Sequence, residues 1–303
     1  MSYREVWFTS DGTRCSGWHF QAAGDADRPV VIMAHGFGGT KDSGLEPFAQ
    51  RFADAGIDVL AFDYRGFGTS EGSPRQTISL VRQLADFRNA VAFASGLPGV
   101  DPARVALWGA SMSGGHVLQV AADLPDVAAV IALTPLTSGL AAGRAAVSER
   151  DVLTALRWTA TGVRSRLAVA RGGTATLMPI VGRPGEPGAL TLSGAYESYL
   201  AMAGPSWRNE VDSSVGMELG RLNVKAAARR VRCPVLVQIG DFDRFVPAGA
   251  VAKTAEAARA QVHRYACDHF DVWPGNDWFD KTVGDQLAFL RRVLLVRESH
   301  PAQ

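Results

Sequence analysis

The sequence predicts an α/β protein: a mostly parallel central sheet with helices on both faces, an antiparallel hairpin at its N-terminal edge, and an inserted helical cap. Three observations predict it. Short, almost wholly apolar runs recur at 30–34, 58–62, 104–108, 129–133 and 234–239, the pattern of strands buried on both faces. Helical patterns at 44–55, 77–95 and 113–123 separate the first runs, and strand–helix alternation makes neighbouring strands parallel. The first ~25 residues instead mix polar and apolar positions around Asp11-Gly12, a hairpin signal.

Gly56 ends the first helix with a glycine stop. After Pro135 the alternation ceases. From 137 to 228 the chain is rich in Ala, Arg and Gly, with helical stretches and a segment at 179–188 studded with Pro and Gly. The strand pattern returns at Cys233-Pro234. An interruption of roughly 90 residues is too long for a plain loop, so 137–228 reads as a cap inserted into a core made of 1–136 and 229–303. A helix at 248–260 and a short strand at 262–266 complete that core.

Bulk composition narrows the functional classes. The 303 residues are 47% apolar and carry a net charge of +1 from 31 basic and 30 acidic side chains. No long run of one sign stands out, so neither nucleic acid nor a membrane surface is an expected partner. The three cysteines, Cys15, Cys233 and Cys267, fit no zinc site, CxxC pair or disulfide framework, which points to a reducing compartment. Segment 1–15 lacks the apolar core of a signal peptide, and no apolar stretch reaches the ~18 residues of a membrane span. A soluble, cytoplasmic protein is expected, with a homodimer left open.

Four motifs carry chemistry. Residues 104–115, RVALWGASMSGG, run from an apolar strand into Gly109-Ala110-Ser111-Met112-Ser113 and then a helix. A serine at the apex of a sharp strand-to-helix turn needs small residues two before and two after it, or side chains collide. The helix N-terminus then points at the hydroxyl, and its N–H groups can stabilise an oxyanion. Ser111 is the preferred nucleophile, because Gly109 directly follows the strand; Ser113 is the alternative register. Residues 31–39, VIMAHGFGG, form a second strand ending in a glycine-rich turn, in which His35 reads as structural. After the strand at 234–239 come Asp241 and Asp243, where ligand-facing loops lie in open α/β sheets. Asp243 is the preferred acid, with Asp241 competing. His269 follows the last strand, 26 residues beyond Asp243.

Together these motifs resemble those of the α/β-hydrolase superfamily, over about residues 5 to 295. HGFGGTKDSGLEPFAQRFADAGIDVLAFDYRGFGTSEG resembles the opening strand–helix–strand of bacterial esterase-like members; GASMSGGH, GDFDRFVP and DHFDVW resemble the nucleophile, acid and histidine turns. The resemblance implies a Ser111–Asp243–His269 triad in the order usual for this fold, and an oxyanion hole from the backbone N–H groups of Phe37 and Met112. It casts Asp63 and Arg65 as braces of the site edge. The subgroup resembles dienelactone-hydrolase-like and acyl-peptidase-like hydrolases, and also thioesterase-like or acyl-transferring enzymes of polyketide pathways.

The expected partner is therefore a small-molecule acyl substrate, with no cofactor and no metal required. Hydrolysis of an ester, thioester or lactone leads. Acyl transfer or cyclisation is the alternative that uses the same serine, and a non-catalytic ligand-binding protein on this scaffold is a further one. A peptidase would need a peptide-binding domain, and no propeller-like repeat is evident. The aromatics Trp158, Tyr196, Tyr199 and Trp207 of the cap segment could line a dry pocket or form the cap's own core.

Overall fold

The computed structural model describes residues 3–24, 27–148 and 152–295; the side chains of 145–158, Trp158 among them, lie outside the description. The hairpin forms as expected. Strands β1 (Arg4–Ser10) and β2 (Thr13–Phe20) pair antiparallel, with Ser10 opposite Thr13. The two residues between them, Asp11 and Gly12, have φ of 45° and 78°, the left-handed geometry that matches hairpin twist.

Every residue of β3 (Arg28–Ala34) is buried, which explains its unbroken apolar run. There follow α1 (Glu46–Asp54), β4 (Asp58–Phe62), α2 (Leu80–Ser95), β5 (Val100–Ala110), α3 (Met112–Asp123) and β6 (Ala129–Leu133). Ser79 caps α2 by accepting from the Arg82 N–H, the usual service of an N-cap serine. The chain then makes α4 (Gly139–Ser148), α5 (Val152–Ala170), β7 (Leu177–Met178), α6 (Ala195–Met202), β8 (Val211–Asp212), α7 (Val215–Leu219) and α8 (Lys225–Ala228). It returns through β9 (Val235–Gly240), α9 (Ala248–Ala257), β10 (Gln261–Tyr265) and α10 (Phe279–Leu290). Among the described residues β7 and β8 form a separate two-stranded sheet.

The main sheet has eight strands in the order β1-β2-β4-β3-β5-β6-β9-β10, antiparallel through β2–β4 and parallel from β4 onward. From β3 the chain winds first outward to β4, then back across to β5 on the other side. That reversal is a topological switch point, where adjacent connections leave in opposite directions and open a crevice at the strands' C-terminal ends. The two glycine-containing turns found in the sequence, after β3 and after β5, sit on either side of it.

Buried polar groups are paired where they hold the sheet. Trp108 on β5 donates Nε1–H to Gln286 Oε1 (3.0 Å), Gln286 donates to Gln238 Oε1 on β9 (2.6 Å), and Gln238 donates to the Tyr265 hydroxyl (2.6 Å). At the other end of the sheet the Asp58 carboxylate accepts from Arg28 Nε (2.8 Å) and the Ala22 N–H (2.9 Å), and lies 2.9 Å from His19 Nε2. Paired in this way, the buried charge avoids the desolvation penalty of an isolated one. All three cysteines are free thiols. Among the described residues no helix is long and apolar enough to cross a membrane.

Candidate active site

Ser111 occupies the hinge between β5 and α3 with φ 53° and ψ −118°. A non-glycine residue held there is strained, and such strain concentrates at functional sites. Gly109 explains the turn's tightness: a Cβ on it would lie 2.2 Å from the Ser113 carbonyl oxygen. Ser113, the alternative register, lies inside α3 and is fully buried. Its hydroxyl donates to the His35 carbonyl and lies 2.7 Å from the Tyr64 hydroxyl. The departure from glycine at that position thus has a local cause: the small polar side chain stitches the nucleophile turn to the turn after β3.

That second turn abuts the first. A Cβ on Gly36 would lie 2.9 Å from Ser111 Cβ, 3.0 Å from the Ala110 carbonyl oxygen and 3.5 Å from Met112 N, so only glycine fits. Among the described residues neither the Phe37 N–H nor the Met112 N–H has a hydrogen-bond acceptor. Two unsatisfied donors beside a serine hydroxyl are what an oxyanion requires. His35 is buried and stacked on Trp273 at 4.7 Å. Burial drives its pKa down to about 3, so it stays neutral and packs the turn.

Asp243 and His269 come together on neighbouring loops. His269 Nδ1 lies 2.7 Å from Asp243 Oδ2, and Asp243 Oδ1 accepts from the N–H groups of Phe245 (2.9 Å) and Val246 (2.7 Å). Both side chains are buried. Burial alone would lower the histidine pKa; the Asp243 carboxylate outweighs it, with Asp268 adding, and holds the ring above its ordinary value. With Nδ1 engaged, Nε2 is left to face a nucleophile. No direct hydrogen bond joins Ser111 to His269 among the described residues, a contact that often tightens only when substrate is present. The competing acid, Asp241, points elsewhere: it takes Arg264 Nε at 2.7 Å on the surface.

Several partners here carried no signal in the sequence. Lys41, buried just beyond the glycine-rich turn, donates Nζ to Asp63 Oδ2 (2.7 Å) and its backbone N–H to Asp63 Oδ1 (2.6 Å). This ties the loop after β3 to the loop after β4. Arg65 pairs with the buried Asp86 and reaches Asp11 at 2.9 Å. Asp63 and Arg65 are thus held in structural ion pairs, as expected. Tyr199, on α6, donates its hydroxyl to the Phe37 carbonyl at 2.6 Å; only the aromatic residue type was legible beforehand. Among the described residues no group of three or more His, Cys, Asp or Glu is placed to hold a metal ion.

An eight-stranded mixed sheet with a strained serine after a central strand and a histidine–carboxylate pair on later loops defines the α/β-hydrolase class. Within it, a family model for the serine aminopeptidase S33 group (Hydrolase_4) matches residues 25–269, and the chain belongs to that family. It is 32% identical over 296 residues to the quorum-quenching protein AidA of Acinetobacter baumannii, covering 97% of this chain and 96% of the relative. Thiohydrolase aneE of Aspergillus aculeatus is 39% identical over 136 residues, 45% of this chain and 42% of its own. Polyketide transferase grgF of Penicillium is 27% identical over 98% of this chain and 97% of its own length. The GrgF crystal structure superposes with a TM-score of 0.82 at 24% identity, covering 98% of this chain and all of the other.

Proposed function

We propose that the protein is a serine hydrolase that cleaves an ester, thioester or lactone through an acyl-enzyme on Ser111. One observation carries the reading: a strained serine beside two N–H groups that have no acceptor among the described residues, with a buried Asp243–His269 pair on the loops after β9 and β10. In this reaction His269 Nε2 takes the Ser111 proton as Oγ attacks the carbonyl carbon. The oxyanion accepts from the N–H groups of Phe37 and Met112, each worth roughly 2.7–4 kcal/mol to the transition state. Collapse expels the alcohol or thiol, which leaves with the proton held on His269. Water, giving its proton to His269, then attacks the acyl-enzyme and frees the acid and Ser111. No metal or organic cofactor enters these steps. The segment 137–228 acts as the cap that selects the acyl group, and the protein works in the cytoplasm on small molecules.

A second reading, transfer of the acyl group to a nucleophile other than water, is favoured by the full-length likeness to a protein named as a polyketide transferase. Both readings share the first half-reaction. Treatment of wild type, Ser111→Ala and Ser113→Ala with a fluorophosphonate, followed by mass mapping of the adduct, tests it. Labelling on Ser111 that vanishes only in Ser111→Ala is the expected result. Labelling on Ser113 moves the nucleophile, and an unlabelled but folded wild type favours a ligand-binding protein. Release of free acid against capture by an added alcohol or amine then separates hydrolysis from transfer.

A further inference from the structure

The turn that would hold the oxyanion is poorly held by itself. Gly36, Gly38 and Gly39 surround Phe37, and glycine leaves backbone torsions free. The Phe37 N–H has no acceptor among the described residues, so that group anchors nothing. The anchor lies on the other side of the same residue: the Phe37 carbonyl receives the Tyr199 hydroxyl at 2.6 Å. We infer that Tyr199 is a positioning residue for the oxyanion-binding turn, through which the cap holds the Phe37 N–H in register with Ser111. This rests on the serine-hydrolase reading above.

Tyr199 is itself firmly placed. It is 2% exposed, stacks on Trp207 at 5.1 Å and meets Phe270, the residue after His269, edge-on at 6.0 Å. Burial pushes its phenol well above the ordinary value, so the hydroxyl remains a donor across the working pH range. The segment around it grips the loop that follows the turn. The Ser206 N–H donates to Asp42 Oδ2 (2.8 Å) and the Gly204 N–H to Ser43 Oγ (3.3 Å). Gly38, with φ 65°, runs directly beneath Ile180: a Cβ there would lie 2.5 Å from Ile180 Cδ1. Pinning the Phe37 carbonyl fixes the Phe37–Gly38 peptide plane and the Phe37 Cα at its edge, and so limits how far the adjoining Gly36–Phe37 plane, which carries the Phe37 N–H, can swing. A displacement of about 1 Å in a catalytic group can cost about a hundredfold in rate.

The test uses the full-length protein and p-nitrophenyl acetate, whose acyl group is too small to depend on the cap's own substrate contacts. Tyr199→Phe keeps the ring and removes the hydroxyl. Its kcat should fall about tenfold to a hundredfold, short of the hundredfold to thousandfold that follows loss of an oxyanion donor. KM should stay within about twofold and the fluorophosphonate labelling rate should fall in parallel, with the adduct still on Ser111. A merely structural tyrosine would lower the melting temperature or raise KM and leave kcat alone. Wild-type kcat in folded Tyr199→Phe, beside a wild type that labels at Ser111, overturns this inference alone. A wild type that neither labels nor hydrolyses overturns the serine-hydrolase reading and this inference together. If Tyr199→Phe does not fold, Trp207→Leu, which loosens the tyrosine without removing it, decides: a reduced kcat at unchanged KM supports the inference and an unchanged kcat overturns it.

Discussion

Strand β5 and helix α5 differ in what holds them. The last six residues of β5, leading into Ser111, are all buried between neighbours on both sides. Helix α5, nineteen residues long, buries only Gly162 and Ser165 among its described side chains and exposes most of the rest. Apolar burial, roughly 25 cal/mol per Å², fixes the strand without regard to direction. The helix is tied through Ser165, whose Oγ donates to Asp212 Oδ1 (2.8 Å) and accepts the Thr176 N–H (2.8 Å). The proposed reacting groups therefore stand on the ends of buried strands, while α5 lies largely on the surface. Regions of the second kind open at lower free energy than the core.

The sharpest way to break this contrast is just beyond the C-terminal end of β9. Asp243→Asn should lower kcat/KM on a small ester by about 10⁴ with little change in fold. Its pH profile adds a sign. His269 must be neutral to act as a base, and because its pKa lies above the ordinary histidine value of 6.5, wild-type activity should rise through a midpoint above that value. Without the carboxylate, burial dominates and the midpoint should move lower. The same raised pKa stabilises the fold below the unfolded-state value near 6.5, and that contribution disappears as pH climbs through the folded-state pKa. Activity and this part of the stability should thus trade against each other in one window, measurable by parallel kinetic and thermal titrations.

Gly36→Ala should come next, with a loss of about a hundredfold in kcat, because the added methyl must push Ser111 or the Ala110 carbonyl aside. A kcat within twofold of wild type would show that the two turns have slack. Ser165→Ala probes the other region: it should cost about 1–3 kcal/mol of local stability, read as faster proteolysis within 152–170, while kcat on a small ester stays within about twofold. A matching fall in kcat would mean that α5 is coupled to the site more tightly than its packing implies. Smallest of all, Asp241→Asn removes a half-exposed partner of Arg264 and should change stability by about 0–1 kcal/mol and kcat not at all. If instead it behaved like Asp243→Asn, the acid would have to be reassigned.

The same contrast explains what was legible in the sequence. Strands buried on both faces leave unbroken apolar runs, so β3, β4, β5, β6 and β9 were visible, and their boundaries moved by only a few residues except in β5, which begins at Val100. The Asp11-Gly12 turn was legible because its backbone geometry restricts residue type. Gly109 and Gly36 were legible as parts of motifs, since close approach leaves no alternative to glycine. The Asp243–His269 contact was inferred from chain order and then found as a hydrogen bond. Lys41 with Asp63, Tyr64 with Ser113 and Tyr199 with Phe37 were not visible. Each joins residues distant in sequence through side-chain atoms, and nothing local distinguishes a lysine or tyrosine so paired from one in solvent. The segment from 137 to 228 was read from its length and composition as an inserted helical cap, but its short elements, such as β7, β8, α7 and α8, are of two to five residues, too few to set up a period.

The backbone of Ser111 sets activity and folding at odds. Its φ of 53° with ψ of −118° lies where glycine alone is comfortable, and holding another residue there costs about 1–3 kcal/mol. Ser111→Gly should therefore raise the melting temperature while abolishing the chemistry. Directed evolution for heat resistance alone would drift towards an inert protein at this position, and a thermostable descendant that still turns over substrate would have to find its extra stability elsewhere in the chain.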